Sequence, residues 1–217
     1  MSKKTKIPKA TITRLSLYSR QLELLEFDGY RMVSSEKLAW LCQVNPAQVR
    51  KDLGYFGDFG IRGVGYDVRD LNQEIKKILA VNREWNMAIV GIGNLGSALI
   101  HYQNFATRGF HIVAAFDADS GKIGHVVGPN LIIQDMTALK RSVMELGIQI
   151  GIIATPPSVA QGVADALLDA EIRAILNFSP VQLQIPDHCR VEHIDFTVKL
   201  DVFTYKLTHG EGSMINN

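Results

Sequence analysis

Long apolar runs are absent from this chain. No stretch approaches the ~18–20 consecutive apolar positions that a bilayer span requires. The opening Met1-Ser-Lys-Lys-Thr-Lys leads into polar sequence without an apolar h-region or a small-residue cleavage site, so a soluble protein that stays in the cytoplasm is expected. Cysteine is scarce too: Cys42 and Cys189 lie 147 positions apart, with no Cys-x-x-Cys and no histidine at metal-ligand spacing from either. Neither a zinc site nor a disulfide scaffold is expected. Repeats and low-complexity tracts are missing, and 47% hydrophobic with 21% charged residues is the composition of a globular chain with one large core or two small ones. Two patterns resemble motifs whose other parts are lacking. Asp58-Phe59-Gly60 has no glycine-rich loop or lysine strand of a kinase before it, and the glycines at 57, 60, 63 and 65 lack the Gly-Lys-Ser/Thr ending of a phosphate loop.

What is present is an asymmetry of charge. Residues 1–80 hold 14 Lys and Arg against 9 Asp and Glu, whereas residues 81–217 hold 9 against 13. Lys3, Lys4, Lys6, Lys9, Arg14 and Arg20 precede the first acid, Glu23. A basic arm ahead of a helix is the footprint of a polyanion binder, although a solvated tail would look the same.

The sequence changes grammar near residue 80. Residues 11–27 place Ile12, Leu15, Leu22 and Leu25 at helical spacing and stop at Asp28-Gly29. Ser34-Ser35 can cap a second helix with a stripe of Leu38, Leu41 and Cys42. Asn45-Pro46 then supplies a cap and a first-turn proline for a third. Two helices about a tight turn form a helix-turn-helix. On the third, Val49, Leu53 and Phe56 can face a core, leaving Gln48, Arg50, Lys51 and Tyr55 outward, residue types that pair with base edges or phosphates. Residues 59–68 read as a glycine hairpin carrying Arg62, Gly63 and Tyr66, which completes a winged helix. Lys9 and Arg14 join these as candidate DNA contacts.

Residues 86–99 read as a buried strand entering a helix across Gly91-Ile92-Gly93-Asn94-Leu95-Gly96. Gly91 suits the tight turn, Gly93 the approach of backbone N–H groups to a pyrophosphate, and Gly96 close helix-to-strand packing. The strand 111–116 ends at Asp117, 21 residues after Gly96, where a carboxylate can hold ribose hydroxyls and repel a 2′-phosphate. NAD(H) is therefore expected over NADP(H), with Lys122 nearby as the complicating charge. Strands at 131–133, 148–154, 174–178 and 191–194 alternate with helices at 136–146 and 158–170, giving a doubly wound parallel sheet in an α/β protein. Thr155-Pro156-Pro157 and Asn177-Phe178-Ser179-Pro180, at strand ends, are candidates for the ribose and nicotinamide end. The expected division is 1–80 winged helix, 81–86 linker, 87–195 dinucleotide-binding domain, 196–209 terminal helix and 210–217 tail.

Phe196, Leu200, Phe203 and Leu207 form an apolar stripe that a second subunit, or the chain's own sheet, would have to cover. None of the six tyrosines has a lysine four residues on, and the six histidines are scattered, which speaks against a dehydrogenase. An NADH-responsive repressor, an NAD-dependent oxidoreductase with a basic accessory domain, and a dinucleotide- or CoA-binding module without a DNA role all remain open at this point.

Over nearly its whole length the chain resembles the Rex family of redox-sensing transcriptional repressors. The resemblance rests on Ile12-Thr-Arg-Leu15, Val49-Arg-Lys-Asp-Leu53, Tyr55-Phe-Gly57, Arg62-Gly-Val-Gly-Tyr66, Gly91-Ile-Gly-Asn-Leu-Gly96, Asn177-Phe-Ser-Pro180 and Val191 to Phe196. It implies a homodimer with exchanged C-terminal helices, operator binding by the winged helix, and release of DNA when NADH replaces NAD⁺. It further implies that Asp195 and Phe196 enter the partner's pocket, with Tyr102 nearby. Ser179 departs from the Ala that the family pattern leads one to expect. Lys51→Ala and Arg62→Ala should each weaken operator binding, and where the side chain binds a phosphate the salt slope should also fall by about one. Wild-type affinity in either variant, measured by anisotropy across a salt series, would remove that residue from the interface.

Overall fold

The computed structural model describes residues 7–61 and 63–210, which divide between Arg83 and Glu84 into two compact units. Lys3, Lys4, Lys6 and Arg62 lie outside the described residues. No helix among the described residues is long and apolar enough to cross a membrane.

The first unit is built from α1 (Lys9–Phe27), β1 (Met32–Val33), α2 (Ser35–Leu41), α3 (Pro46–Leu53), β2 (Tyr66–Asp67) and α4 (Val68–Ile78). The cap residues act as their types dictate. The Ser34 side chain accepts from the Lys37 amide and the Asn45 side chain from the Gln48 amide, with Pro46 at the first position of α3. α1 buries Thr11, Leu15, Tyr18, Ser19, Leu22 and Leu25, whereas Ile12, expected on the buried stripe, is 38% exposed. α4 is an element beyond the three helices named from the sequence, although Asp67 caps it and Val68, Leu71 and Ile75 recur at helical spacing. It packs on α1 through Leu71 and Ile75, and by the buried hydrogen bond from the Ser19 hydroxyl to Asn72 Oδ1 (2.9 Å).

Between α3 and β2 the chain turns back on itself in a tight hairpin, with Ile61 and Gly65 exchanging both backbone hydrogen bonds at 2.9 and 3.0 Å. Gly60 and Gly65 adopt positive φ, and a Cβ on either would lie 2.5 Å from a backbone oxygen, of Gly65 and Val33 respectively. β2 pairs antiparallel with β1, Val33 opposite Tyr66. Both face inward, and here the expectation for Tyr66 is corrected: at 8% exposure it belongs to the core beneath the hairpin, because strand alternation turns Asp67 outward instead.

The most constrained group of this unit is Asp52, a fully buried carboxylate on α3. Its oxygens accept from Arg14 Nε (2.5 Å) and a terminal Arg14 nitrogen (2.7 Å), from the hydroxyls of Thr11 (3.0 Å) and Tyr18 (2.9 Å), and from Gln48 Nε2 (2.9 Å). Burial alone would raise its pKa, but these donors outweigh it and hold the carboxyl below its ordinary value, while burial and the same carboxylate push the Tyr18 hydroxyl up. The stability that Asp52 contributes is therefore complete above about pH 4 and is lost as pH falls through its lowered folded-state value. Asp52→Ala leaves Arg14 and Tyr18 without their acceptor and should cost about 3 kcal/mol. Calorimetry should show a clearly lowered melting transition at pH 7, and a wild-type transition would contradict the network's role.

The second unit is a seven-stranded sheet in the order β5-β6-β4-β3-β7-β8-β9, where β3 is Trp85–Val90, β4 Phe110–Phe116, β5 Val126–Gly128, β6 Leu131–Gln134, β7 Ile150–Ile153, β8 Ala174–Asn177 and β9 Arg190–His193. All pairs are parallel except β5 on β6, an edge hairpin that the sequence pattern does not reveal. β3 starts at Trp85, inside the stretch expected to be linker. Along β3, Ala88 and Val90 enter one core with Phe116, Ile153, Ala164 and Leu167, while Met87 and Ile89 enter the other with Ala115, Ile133 and Ile152. α6 (Leu139–Glu145) and α7 (Pro157–Asp169) cover the first face, and Leu99 and Ile100 of α5 (Asn94–Ile100) pack on the second. The chain order reverses between β4 and β7 on either side of β3, the topological switch point of such sheets. The last helix, α8 (Phe196–His209), buries none of its residues in the described chain. Cover of its stripe by the chain's own sheet, one of the two expectations, is therefore not what this chain does.

Candidate nucleotide site and nucleic-acid surface

The loop after β3 carries three glycines with three different geometries. Gly91 has φ +94°, and a Cβ there would lie 2.7 Å from the carbonyl oxygen of Ala154 and from Thr155 Cγ2. A Cβ on Gly96 would lie 2.0 Å from Gly91 O, so the start of α5 rests directly on the turn. Gly93 has nothing within 4 Å of where a Cβ would be, and Gly93, Asn94 and Leu95 form an exposed crest. One glycine turns, one packs, and the third leaves backbone open to a ligand.

Asp117, at the end of β4, is 9% exposed and ties this loop to the next. Its Oδ2 accepts from the Ile92 amide (2.8 Å) and Lys122 Nζ (3.0 Å), and its Oδ1 from the Asp119 amide (3.0 Å). Burial would raise its pKa, but these three donors prevail and keep it ionised. Lys122 thus neutralises the acid that would take a ribose. Oδ1, with one donor, retains room for another.

Beyond β7, Thr155 lies against Gly91 and Pro156 caps α7. Beyond β8, the fully buried Asn177 organises a turn. Its Oδ1 accepts from the Ser179 amide (2.9 Å), and its Nδ2 donates to the carbonyls of Ser179 (3.1 Å) and Val181 (2.9 Å) and faces His193 Nδ1 (3.0 Å). The hydroxyls of Thr155 and Ser179 are buried without a hydrogen-bond partner among the described residues. Tyr102, half-exposed after α5, stacks edge-on against Phe105 with ring centroids 5.1 Å apart, and its hydroxyl accepts from Asn104 (3.0 Å). Asp195 is the N-cap of α8, taking the Thr197 amide (2.8 Å) and hydroxyl (2.6 Å), which lower its pKa. Phe196 is 61% exposed, with its ring 6.5 Å from that of Phe178 in its own chain.

On the first unit, Lys9, Arg50 and Lys51 are exposed and Gly63 stands at the hairpin tip with φ +78°. Arg50 is held by the Ser35 hydroxyl (2.7 Å) and Glu36 (3.2 Å). Arg14 and Gln48, expected as free DNA contacts, are instead committed to Asp52, and Tyr55 lies past the end of α3, half-buried. Asp52 is the residue that sequence reasoning missed. Its signal was an acid inside Val49-Arg-Lys-Asp-Leu53, four residues after Gln48 and so on the same helix face.

Comparison with known proteins gives a consistent result. The chain matches the models of a putative DNA-binding protein N-terminus at residues 6–54 and of a CoA binding domain at residues 82–181. It is similar to a redox-sensing transcriptional repressor Rex of Syntrophobacter fumaroxidans, 53% identical over 205 residues, 94% of this chain and 98% of that one. Among solved structures it is similar to the repressor RSP in complex with β-NAD⁺ and operator DNA (TM-score 0.89, 34% identity, 94% of each chain). It is also similar to RSP in complex with β-NADH (TM-score 0.84, 33% identity, 94% of this chain and 95% of that one). Gly96→Ala would drive a methyl into Gly91 O, and the loop cannot yield without moving the crest. Dinucleotide binding by calorimetry should fall at least tenfold, and unchanged affinity would show that the loop does not hold the ligand.

Proposed function

The chain belongs to the Rex family of redox-sensing transcriptional repressors, and from that membership we propose that it binds palindromic operator DNA as a homodimer and releases it when NADH occupies its second unit. The observation that carries this reading is one chain bearing both an exposed basic recognition helix, with a glycine hairpin leading into β2, and a glycine loop open at Gly93 beside the ionised Asp117. Residues 1–80 serve DNA, 87–195 hold the nucleotide, and 196–209 pair two protomers by exchanging the stripe of Phe196, Leu200, Phe203 and Leu207. A cytoplasmic location follows from that role.

The residues present fit a dinucleotide. Gly91 to Gly96 would cradle the pyrophosphate, Asp117 with Lys122 the adenosine ribose, and Thr155 and Pro156 the nicotinamide half. NAD(H) acts here as a signal rather than a reagent: the chain lacks a Tyr-x-x-x-Lys dyad, and its relatives are repressors. NAD⁺ carries a charged ring and NADH a neutral one, so an apolar slot closed by Phe196 favours NADH by avoiding a desolvated charge. Weakening operator binding ~100-fold requires about 2.7 kcal/mol of differential affinity between the two states. Asp195 supplies the switch, its carboxylate taking the Tyr102 hydroxyl when the reduced ring is bound.

For DNA contact, Lys9, Arg50, Lys51, Arg62 and Gly63 remain the candidates, with Arg14, Gln48 and Tyr66 acting from behind by fixing α3 and the hairpin. Anisotropy of a labelled palindromic operator should fall on titration with NADH at concentrations where NAD⁺ leaves the complex intact. Release by neither nucleotide would overturn the sensor. Asp195→Ala should bind operator but lose most of the NADH effect, and a full response would remove Asp195 from the switch.

A further inference from the structure

Two adjacent cations of α3 are held in different ways. The Lys51 side chain is exposed and makes no ion pair or hydrogen bond among the described residues. Arg50, one position earlier, does not project freely. Its Nη1 donates to the Ser35 hydroxyl (2.7 Å) and to Glu36 Oε1 (3.2 Å), and the same hydroxyl donates to the same carboxylate (3.1 Å). The three side chains close a triangle between α3 and the first turn of α2. Ser35 is buried and anchors it, whereas the side chains of Arg50 and Glu36 are 54% and 67% exposed and stay within reach of a ligand. The Glu36 carboxyl is held below its ordinary value by its own backbone amide and by the hydroxyls of Ser34 and Ser35, so it is ionised at neutral pH.

An exposed Glu–Arg pair adds little stability, and a carboxylate on a surface that meets DNA opposes the attraction to phosphate. The dipole of α2 accounts for an acid in its first turn but not for the grip of that acid on Arg50. The pair borders a cleft of about 770 Å³ between α3 and the hairpin, and among the described residues that line it the two acids Glu36 and Asp58 face one cation, Arg50. Such a lining does not suit a phosphate. A guanidinium carries five N–H donors in one plane. With Nη1 turned to Ser35 and Glu36, the Nε–Nη2 edge, free of hydrogen bonds among the described residues, is left as a fixed fork.

We propose that Glu36 is a specificity-determining residue for operator binding, which acts through Arg50 by cancelling its charge towards phosphates and fixing its free edge for the paired acceptors of a base. This rests on the DNA-binding reading above and adds the residue that holds down binding to the wrong sequence. Attraction to the polyanion is long-ranged and follows net charge, whereas a bidentate hydrogen bond to a base edge is short-ranged and follows the placement of donors. Pairing the guanidinium with a carboxylate therefore subtracts mainly from the first. Holding the side chain in advance also spares the rotamer entropy that a free arginine loses on binding, which favours the second. Lys51, a point charge on a flexible stem and without a partner of this kind, is left to serve phosphate.

The experiment measures anisotropy of the full chain, across a salt series, on a labelled palindromic operator and on a scrambled duplex of equal length and composition. Glu36→Gln should bind the scrambled duplex about three- to tenfold more tightly than wild type at low salt, with a salt slope steeper by about 0.9, the share of one phosphate. Its operator affinity should shift less than about twofold, because the gain in charge and the loss of placement offset each other, so the ratio of the two affinities falls. Arg50→Ala should weaken the operator, and adding Glu36→Gln to it should no longer raise affinity for the scrambled duplex. A Glu36 that only stabilises α2 would lower the melting temperature and leave the ratio unchanged. An unchanged ratio in Glu36→Gln, an undiminished gain in the Arg50→Ala background, or an operator affinity indifferent to Arg50→Ala would each overturn the proposal. Wild-type protein that binds neither duplex would overturn the DNA-binding reading itself and this inference with it, a result distinct from the other three.

Discussion

The second unit is organised around a contact made by backbone alone. α5 begins where Gly96 meets the carbonyl of Gly91, and no side chain, not even a methyl, fits between them. That contact sets the height of the loop crest at Gly93 to Leu95, and the crest sets which amide is left to reach back to Asp117. The Ile92 amide is the one, at 2.8 Å, and beside it the Gly91 amide donates to the Phe116 carbonyl at 2.9 Å, so the turn after β3 and the end of β4 are fixed to each other. Thr155, at the end of β7, closes the third side by packing on Gly91. Three successive strand ends are thereby registered on one glycine turn, and ligand groups bound at any of them are positioned by the same backbone.

The first unit solves a different problem. Its third helix is eight residues long and too short to be stable by propensity. Val49 and Leu53 give it an apolar anchor, and Asp52 gives it a polar one, reaching from α3 to Thr11, Arg14 and Tyr18 of α1. A buried carboxylate satisfied from two helices fixes helix rotation as apolar packing does not, because sliding by one residue would leave the charge unpaired. The exposed face of α3, Arg50 and Lys51 included, is thereby presented at a defined angle.

Much of this was legible from residue order. Asn45-Pro46 announces a helix start because both residues act locally, through a side-chain cap and a fixed φ, and the structure has the helix there. The glycine loop was legible for the same reason, since each glycine answers a steric demand within six residues. What could not be read depends on partners distant in the chain. Arg14 looked like a free basic residue until folding brought Asp52, 38 positions away, into contact. Tyr66 looked like a hairpin side chain until β1 supplied the strand that turns it inward. Asn177 ends an apolar strand without any signal that its amide would organise the next four residues. β5 was missed because three residues of strand carry little periodicity, whereas α4, with Asp67 as its cap and Val68, Leu71 and Ile75 at helical spacing, did carry a local signal.

The terminal helix carries a consequence for how the chain responds to dilution. All of its large apolar side chains, from Phe196 through Leu207, are turned to solvent in the described chain, and fourteen residues are close to the shortest length that stays helical without tertiary support. Its order must come from whatever surface it meets, so mass action governs a part of the secondary structure. Where a second protomer supplies that surface, the stability of this helix rises with protomer concentration.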